Sequence, residues 1–286
     1  MDTKKRITTD HGRFYEIDEN VFWPSVTTIL EARPLAFGLK EFFLTNTKDE
    51  AERKLKEAGL QGSKIHHSID LLLHGATLRP SGITKIQLDM TNLVNDPEYG
   101  EPELLDYLQR PFTKTEDKMM RGFMQFWADF EPEVIQNEVI VAKSLGKKKG
   151  YAGTVDFVGY IKMYKKAKKA PQNAKSMTEE CSRELVVLDW KTGKGLYKEY
   201  DLQVSAYMHA YNEKSGKRKR RAKHCGLLQL GVNKCGYKLH MVEHPRKDFQ
   251  RFKDTAKIWF DLNEDAKPSM YEFANEYKIE RPKKAN

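Results

Sequence analysis

The chain has 286 residues, with 50 Lys and Arg against 41 Asp and Glu and a formal net charge of +9. That length can bury a full core as one large domain or two small ones, and the basic excess suits a polyanionic partner such as nucleic acid. Charged residues make up 32% and mean hydropathy is −0.72, so no stretch approaches the apolar length of a bilayer span and no membrane partner is expected.

Met1 to Asp10 lacks the apolar segment of a secretory signal, which makes the cytoplasm the expected compartment. Arg13 to Ile17 and Val21 to Trp23 alternate like a short hairpin, and Pro24-Ser25 reads as a helix start leading to Leu30. From Leu35 to Gly75 the pattern is helical, with one helix over Lys48 to Ala58 and, beyond Gly59 and Gly62, another over Ser63 to Leu73. Ala76 to Tyr99 is turn-rich and ambiguous. Met119, Phe123, Phe126 and Phe130 recur at helical spacing and predict a helix over Thr115 to Phe130, stopped by Pro132.

Beyond Pro132 the period becomes extended. Val134 to Ala142, Tyr151 to Met163 and Leu185 to Trp190 predict three strands of one sheet. A helix over Lys198 to Asn212 follows, then strands over Gly226 to Gly231 and Tyr237 to Val242, then a helix over Arg246 to Leu262. This order describes an α/β core over 131–244 within a single domain, preceded by a helical subdomain over 24–130 and followed by a helix and tail over 245–286. Two basic insertions, Lys162 to Lys175 and Lys214 to Lys223, read either as solvated loops or as a phosphate-contacting rim.

The segment Leu185-Val186-Val187-Leu188-Asp189-Trp190-Lys191 carries the chemistry. An apolar run this continuous belongs to a strand buried on both faces, where a carboxylate and an ammonium are costly unless they serve a purpose. Strand alternation puts Asp189 and Lys191 on one face, roughly 6.5 to 7 Å apart along it. Other carboxylate-x-Lys triplets, such as Glu116/Lys118, lack an apolar strand before them. Upstream, Asp156 interrupts Tyr151-Ala152-Gly153-Thr154-Val155-Asp156-Phe157-Val158-Gly159 in the same way. Two buried carboxylates at one place repel each other, and a divalent cation or a shared proton is the usual remedy; oxygen ligands favour Mg²⁺ or Mn²⁺. The alternative is a buried ion pair that only orders the sheet.

The order Tyr-Ala-Gly-Thr-Val-Asp, then Leu-Asp-Trp-Lys-Thr-Gly, then Gln203-x-x-x-Tyr207 resembles the RecB-like nucleases of the PD-(D/E)XK superfamily, nearest to phage exonucleases and mitochondrial genome maintenance exonuclease. The resemblance spans about residues 24 to 244. It implies a restriction-endonuclease-like α/β core, a central mixed sheet flanked by helices. It implies a metal-dependent deoxyribonuclease acting on single-stranded DNA or duplex ends, alongside recombination or replication proteins. A structure-specific endonuclease and a non-catalytic DNA-binding accessory protein are the alternatives. Gly62-Ser63-Lys64-Ile65-His66 resembles the family's first motif and implies His66 as a metal ligand, together with Asp156, Asp189 and the Trp190 main-chain carbonyl. Helical geometry agrees that His66 borders the interior while His67 faces water. Glu138 resembles the family's upstream catalytic glutamate, Lys191 would orient water, and Gln203 and Tyr207 would bind substrate. Lys147, Lys148 and Lys149, in a turn leading to Asp156, are expected to meet the phosphate backbone. The three cysteines, Cys181, Cys225 and Cys235, cannot supply the four-cysteine iron–sulfur cluster of some family members.

Overall fold

The computed structural model describes residues 5–9, 12–81, 85–89, 110–146, 148–164, 182–215, 221–263, 266 and 268. Its centre is a five-stranded mixed sheet of β6 (Glu133–Gly146), β7 (Lys149–Met163), β8 (Ser182–Lys191), β9 (His224–Val232) and β10 (Gly236–Met241), in the spatial order β10-β9-β8-β7-β6. Every neighbouring pair is antiparallel except β8 and β9, which are parallel and therefore need a crossover, supplied by helix α5 (Lys198–Lys214).

Two helical layers cover the sheet. On one face α5, α6 (Pro245–Leu262) and the short α1 (Val26–Leu30) bury Val155, Val187, Leu202, Phe249 and Phe252. On the other, α3 (Lys48–Leu73), which follows α2 (Phe37–Thr45), and α4 (Lys114–Phe130) bury Ile65, Phe123, Phe126, Leu188 and Trp190. β8 is buried from both sides, as its unbroken apolar run requires. Gly122 and Gly236 let α4 and the start of β10 touch backbone to backbone, since a Cβ on Gly122 would lie 2.1 Å from the Gly236 carbonyl oxygen.

The structure departs from the sequence expectation in three places. The helix expected to break at Gly59 and Gly62 is one 26-residue helix, α3. Each glycine costs about 1 kcal/mol in a helix interior. A capping box between Thr47 and Glu50 and the Arg53–Glu57 pair at 2.8 Å offset that cost. The ambiguous stretch after Ala76 contains the hairpin β4 (Thr77–Ser81) and β5 (Lys85–Asp89); its remainder from residue 90 lies outside the described residues. At the N-terminus the expected two-stranded hairpin has a third strand: β1 (Lys5–Thr9) pairs with β2 (Gly12–Asp18), which pairs with β3 (Val21–Pro24). With one apolar residue among five, β1 carries no period of its own and is held by the ladder to β2.

This small sheet packs on β7 through Tyr15, Ile17 and Trp23 against Ala152. The Trp23 ring lies over Gly150, where a Cβ would come within 2.5 Å of it. Among the described residues no helix is long and apolar enough to cross a membrane. Of the two basic insertions, 165–175 and 216–220 lie outside the described residues; Lys162 pairs with Glu131 and Lys223 with Glu184.

Candidate metal centre

The site forms where the sheet opens. The ladder between β7 and β8 ends at Phe157 opposite Leu188, so Asp156 and Asp189 stand just beyond the last backbone pair. There the Asp156 carboxylate replaces a backbone acceptor, taking the Trp190 N–H at 2.6 Å on Oδ2. The strand alternation also slips: Val155 packs in one core layer and Phe157 in the other, although residues two apart share a face in a regular strand.

The partner strand is distorted at the same level. Glu138 lies between the pairs Asn137–Phe157 and Val139–Val155 and has φ of 45°, the left-handed region that costs an L-residue about 1–2 kcal/mol. Such strain concentrates at functional sites. Its effect is to bring the Glu138 carboxylate beside Asp156. From the helical side, α3 supplies His66, whose Nδ1 is 3.5 Å from Asp156 Oδ1. One ligand atom each from His66, Glu138 and Asp156 lie within 4.8 Å of one another, the spacing of a shared cation.

Asp189 stands outside this triad and is occupied differently from the expectation. Lys191 Nζ is 2.6 Å from Asp189 Oδ2, an ion pair by distance although not aligned as a hydrogen bond. Gln203 on α5 bridges the pair: its Oε1 accepts from Lys191 Nζ at 3.0 Å, while its Nε2 donates to Asp189 Oδ1 at 3.4 Å and to the Tyr207 hydroxyl at 3.0 Å. The Tyr200 ring lies 4.3 Å from the same ammonium. Gly153 makes room for Tyr207, because a Cβ there would fall 2.4 Å from the ring. Trp190 borders the site through its backbone; its indole is buried against Phe123, Phe126 and Phe157, which fixes the end of β8.

The electrostatics follow from this crowding. Burial opposes a charged His66 ring, but Asp156, with Asp189 and Glu138, outweighs it and pushes the imidazole up to about 9. The Glu138 side chain keeps solvent access although protein atoms surround its carboxyl, which is pushed up to about 8 by lost hydration and then by Asp156. Burial also raises Asp189, against the pull of Lys191. Lys191 is raised because Asp189 outweighs its desolvation, so the ammonium stays charged.

These groups line one cavity of about 620 Å³, together with Asp70, Thr192, Gly193 and two residues that local sequence patterns do not single out, Arg6 and Arg13. The loop after β8 is tied down by Gln229, whose Nε2 donates to the Gly193 carbonyl at 2.9 Å. His66, Glu138, Asp156, Asp189, Trp190, Lys191, Gln203 and Tyr207 all line this one cavity. The lysines of the β6–β7 turn do not join them. Lys148 and Lys149 are absent from the cavity lining, and Lys149 Nζ instead lies 5.2 Å over the Phe260 ring. Lys149 lies seven residue steps before Asp156 along the strand, or about 23 Å. Lys147 lies outside the described residues. Compared with known proteins, the chain matches no protein-family model and no curated protein.

Proposed function

We propose that the chain is a Mg²⁺- or Mn²⁺-dependent deoxyribonuclease of the RecB-like PD-(D/E)XK type, acting on single-stranded DNA or duplex ends in recombination, repair or replication. The observation that carries this reading is the convergence of His66, Glu138 and Asp156 on one point, with an Asp189–Lys191 pair on the adjoining strand facing the same cavity. The five-stranded mixed sheet with helices on both faces supports the PD-(D/E)XK comparison.

The donor set fits a small hard cation. Two carboxylates and one imidazole are held close enough to share an ion, and the protons they otherwise collect are displaceable. When bound, the cation supplies Lewis acidity toward a phosphate oxygen and toward water. Lys191 places its ammonium where negative charge grows on the phosphate and where an attacking water can be oriented. Asp189 and Gln203 hold that ammonium in place, and Tyr207 holds Gln203. The Trp190 N–H fixes the Asp156 carboxylate, so one of its oxygens stays turned toward His66.

The test is digestion of end-labelled single strands, duplexes and closed circles with Mg²⁺, Mn²⁺ or EDTA. Wild-type protein should cleave only with metal and should spare closed duplex circles. Asp156→Asn should reduce cleavage at least about 10²-fold, by analogy with the loss of one electrostatic group from a catalytic site. Cleavage of closed circles would favour an endonuclease; undiminished cleavage by Asp156→Asn would remove the proposal.

A further inference from the structure

The cavity has an acidic floor and a basic rim. β1 and β2 pair with Arg6 opposite Tyr15 and Thr8 opposite Arg13. Cross-strand partners share a face, as do residues two apart on a strand, so Arg6, Thr8, Arg13 and Tyr15 lie on the same side of the hairpin. Tyr15 fixes where that side points. It is buried, and its hydroxyl is 3.0 Å from Thr154 Oγ1, two residues before Asp156. Both arginines consequently line the cavity while remaining exposed.

Their charge is not neutralised by the protein: among the described residues neither arginine is ion-paired to a carboxylate. The lysine in the cavity is committed to Asp189. α3 lines the same cavity with the small residues Ala58, Gly59, Gly62 and Ser63, and with Gln61 and His67. A ligand that satisfies both ends must present one anionic group to the metal centre and another to the rim, as consecutive phosphates of a nucleic-acid strand do. A guanidinium fork matches phosphate oxygens better than an ammonium does.

We infer that Arg6 and Arg13 form a phosphate clamp on the N-terminal hairpin, gripping the strand one or more phosphates away from the group at the metal centre. Tyr15 is the positioning residue that docks the clamp. The inference rests on the nuclease reading. The phosphate it holds is either a terminal monoester or an internal diester, and substrate ends distinguish them.

The experiment measures binding without hydrolysis. An internally fluorescein-labelled oligodeoxythymidine is titrated in EDTA over a series of salt concentrations with wild-type protein, Arg6→Ala/Arg13→Ala and Arg53→Ala, an exposed arginine outside the cavity. The double variant should bind at least about tenfold more weakly at low salt. Its log–log salt slope should be shallower by about 0.7 if both arginines share one phosphate and about 1.4 if they hold two. Arg53→Ala should match wild type. Repetition with 5′-phosphorylated, 3′-phosphorylated and circular strands assigns the source: a deficit confined to one phosphorylated end means a monoester, and an equal deficit on circles means a diester. Wild-type affinity and slope in the double variant would overturn the clamp while leaving the nuclease reading intact. Failure of the wild-type protein to bind any strand in EDTA would also overturn the clamp, whereas the nuclease reading falls only if cleavage with Mg²⁺ or Mn²⁺ fails.

Discussion

Lys191→Met should lower Mg²⁺-dependent DNA hydrolysis by about 10²–10³-fold while leaving metal affinity close to wild type. The separation of the two effects follows from geometry. Lys191 faces Asp189, Gln203 and Tyr200, and is not one of the three groups that converge on the cation position. Methionine keeps the volume and removes the charge, leaving Asp189 buried beside nothing positive of its own. Burial already raises that carboxyl, so it takes up a proton rather than unfolding the strand. Lys191→Arg should fail almost as badly, because a planar fork does not fit a socket built around a compact ammonium. Single-turnover rates and manganese titrations on the same preparations check both halves. Equal loss of metal affinity in Lys191→Met would show that the lysine acts through the cation site.

The second large effect is on stability. Glu116→Ala should destabilise the fold by about 3–5 kcal/mol, the cost of breaking a buried ion pair by removing one partner. Lys64 and Glu116 are only 4% and 5% exposed and sit 3.2 Å apart, joining α3 to α4. Glu116 also closes the capping box of α4, accepting the Thr113 N–H at 2.7 Å. Its removal costs a cap and takes from the Lys64 ammonium the carboxylate held 3.2 Å away. Against a total stability of about 5–15 kcal/mol this is a large fraction. Lys64→Met/Glu116→Leu should recover part of it, since both members of the broken pair are then replaced by apolar groups. Urea midpoints of the two variants and the wild-type protein read the effect directly; a loss below about 1 kcal/mol in Glu116→Ala would show that the pair contributes nothing beyond its cap. Because Lys64 lies two residues before His66, this pair also sets how α3 presents its histidine to the site.

Much of the site was legible because buried strands advertise themselves. Asp156 and Asp189 interrupt apolar runs, and Gln203 and Tyr207 fall four apart on a helix face, so their chemistry stands out locally. What local pattern cannot carry is pairing between distant segments. The left-handed backbone at Glu138, the parting of β7 from β8 at Phe157, and the place of Arg6 opposite Tyr15 are each set by pairing with another strand. The same limit explains the lysines at 148 and 149. Proximity in sequence to Asp156 suggested proximity in space, whereas an extended strand carries its ends apart by about 3.3 Å per residue. The glycines of α3 misled for the opposite reason: they interrupt local propensity, and the burial of Ile65, Ile69 and Leu71 together with the cap outweighs them.

The most direct measurement is a calorimetric Mn²⁺ titration of wild-type protein and Asp156→Asn at pH 7 and pH 9. At pH 7 the imidazole held up to about 9 and the carboxyl held up to about 8 both retain protons that a cation must displace. Affinity should therefore rise with pH, by up to about tenfold per unit for each proton displaced, and proton release should be larger at pH 7 than at pH 9. Asp156→Asn should take up no ion at either pH. Absence of Mn²⁺ uptake by the wild-type protein, or uptake unchanged in Asp156→Asn, would mean that His66, Glu138 and Asp156 do not form a cation site.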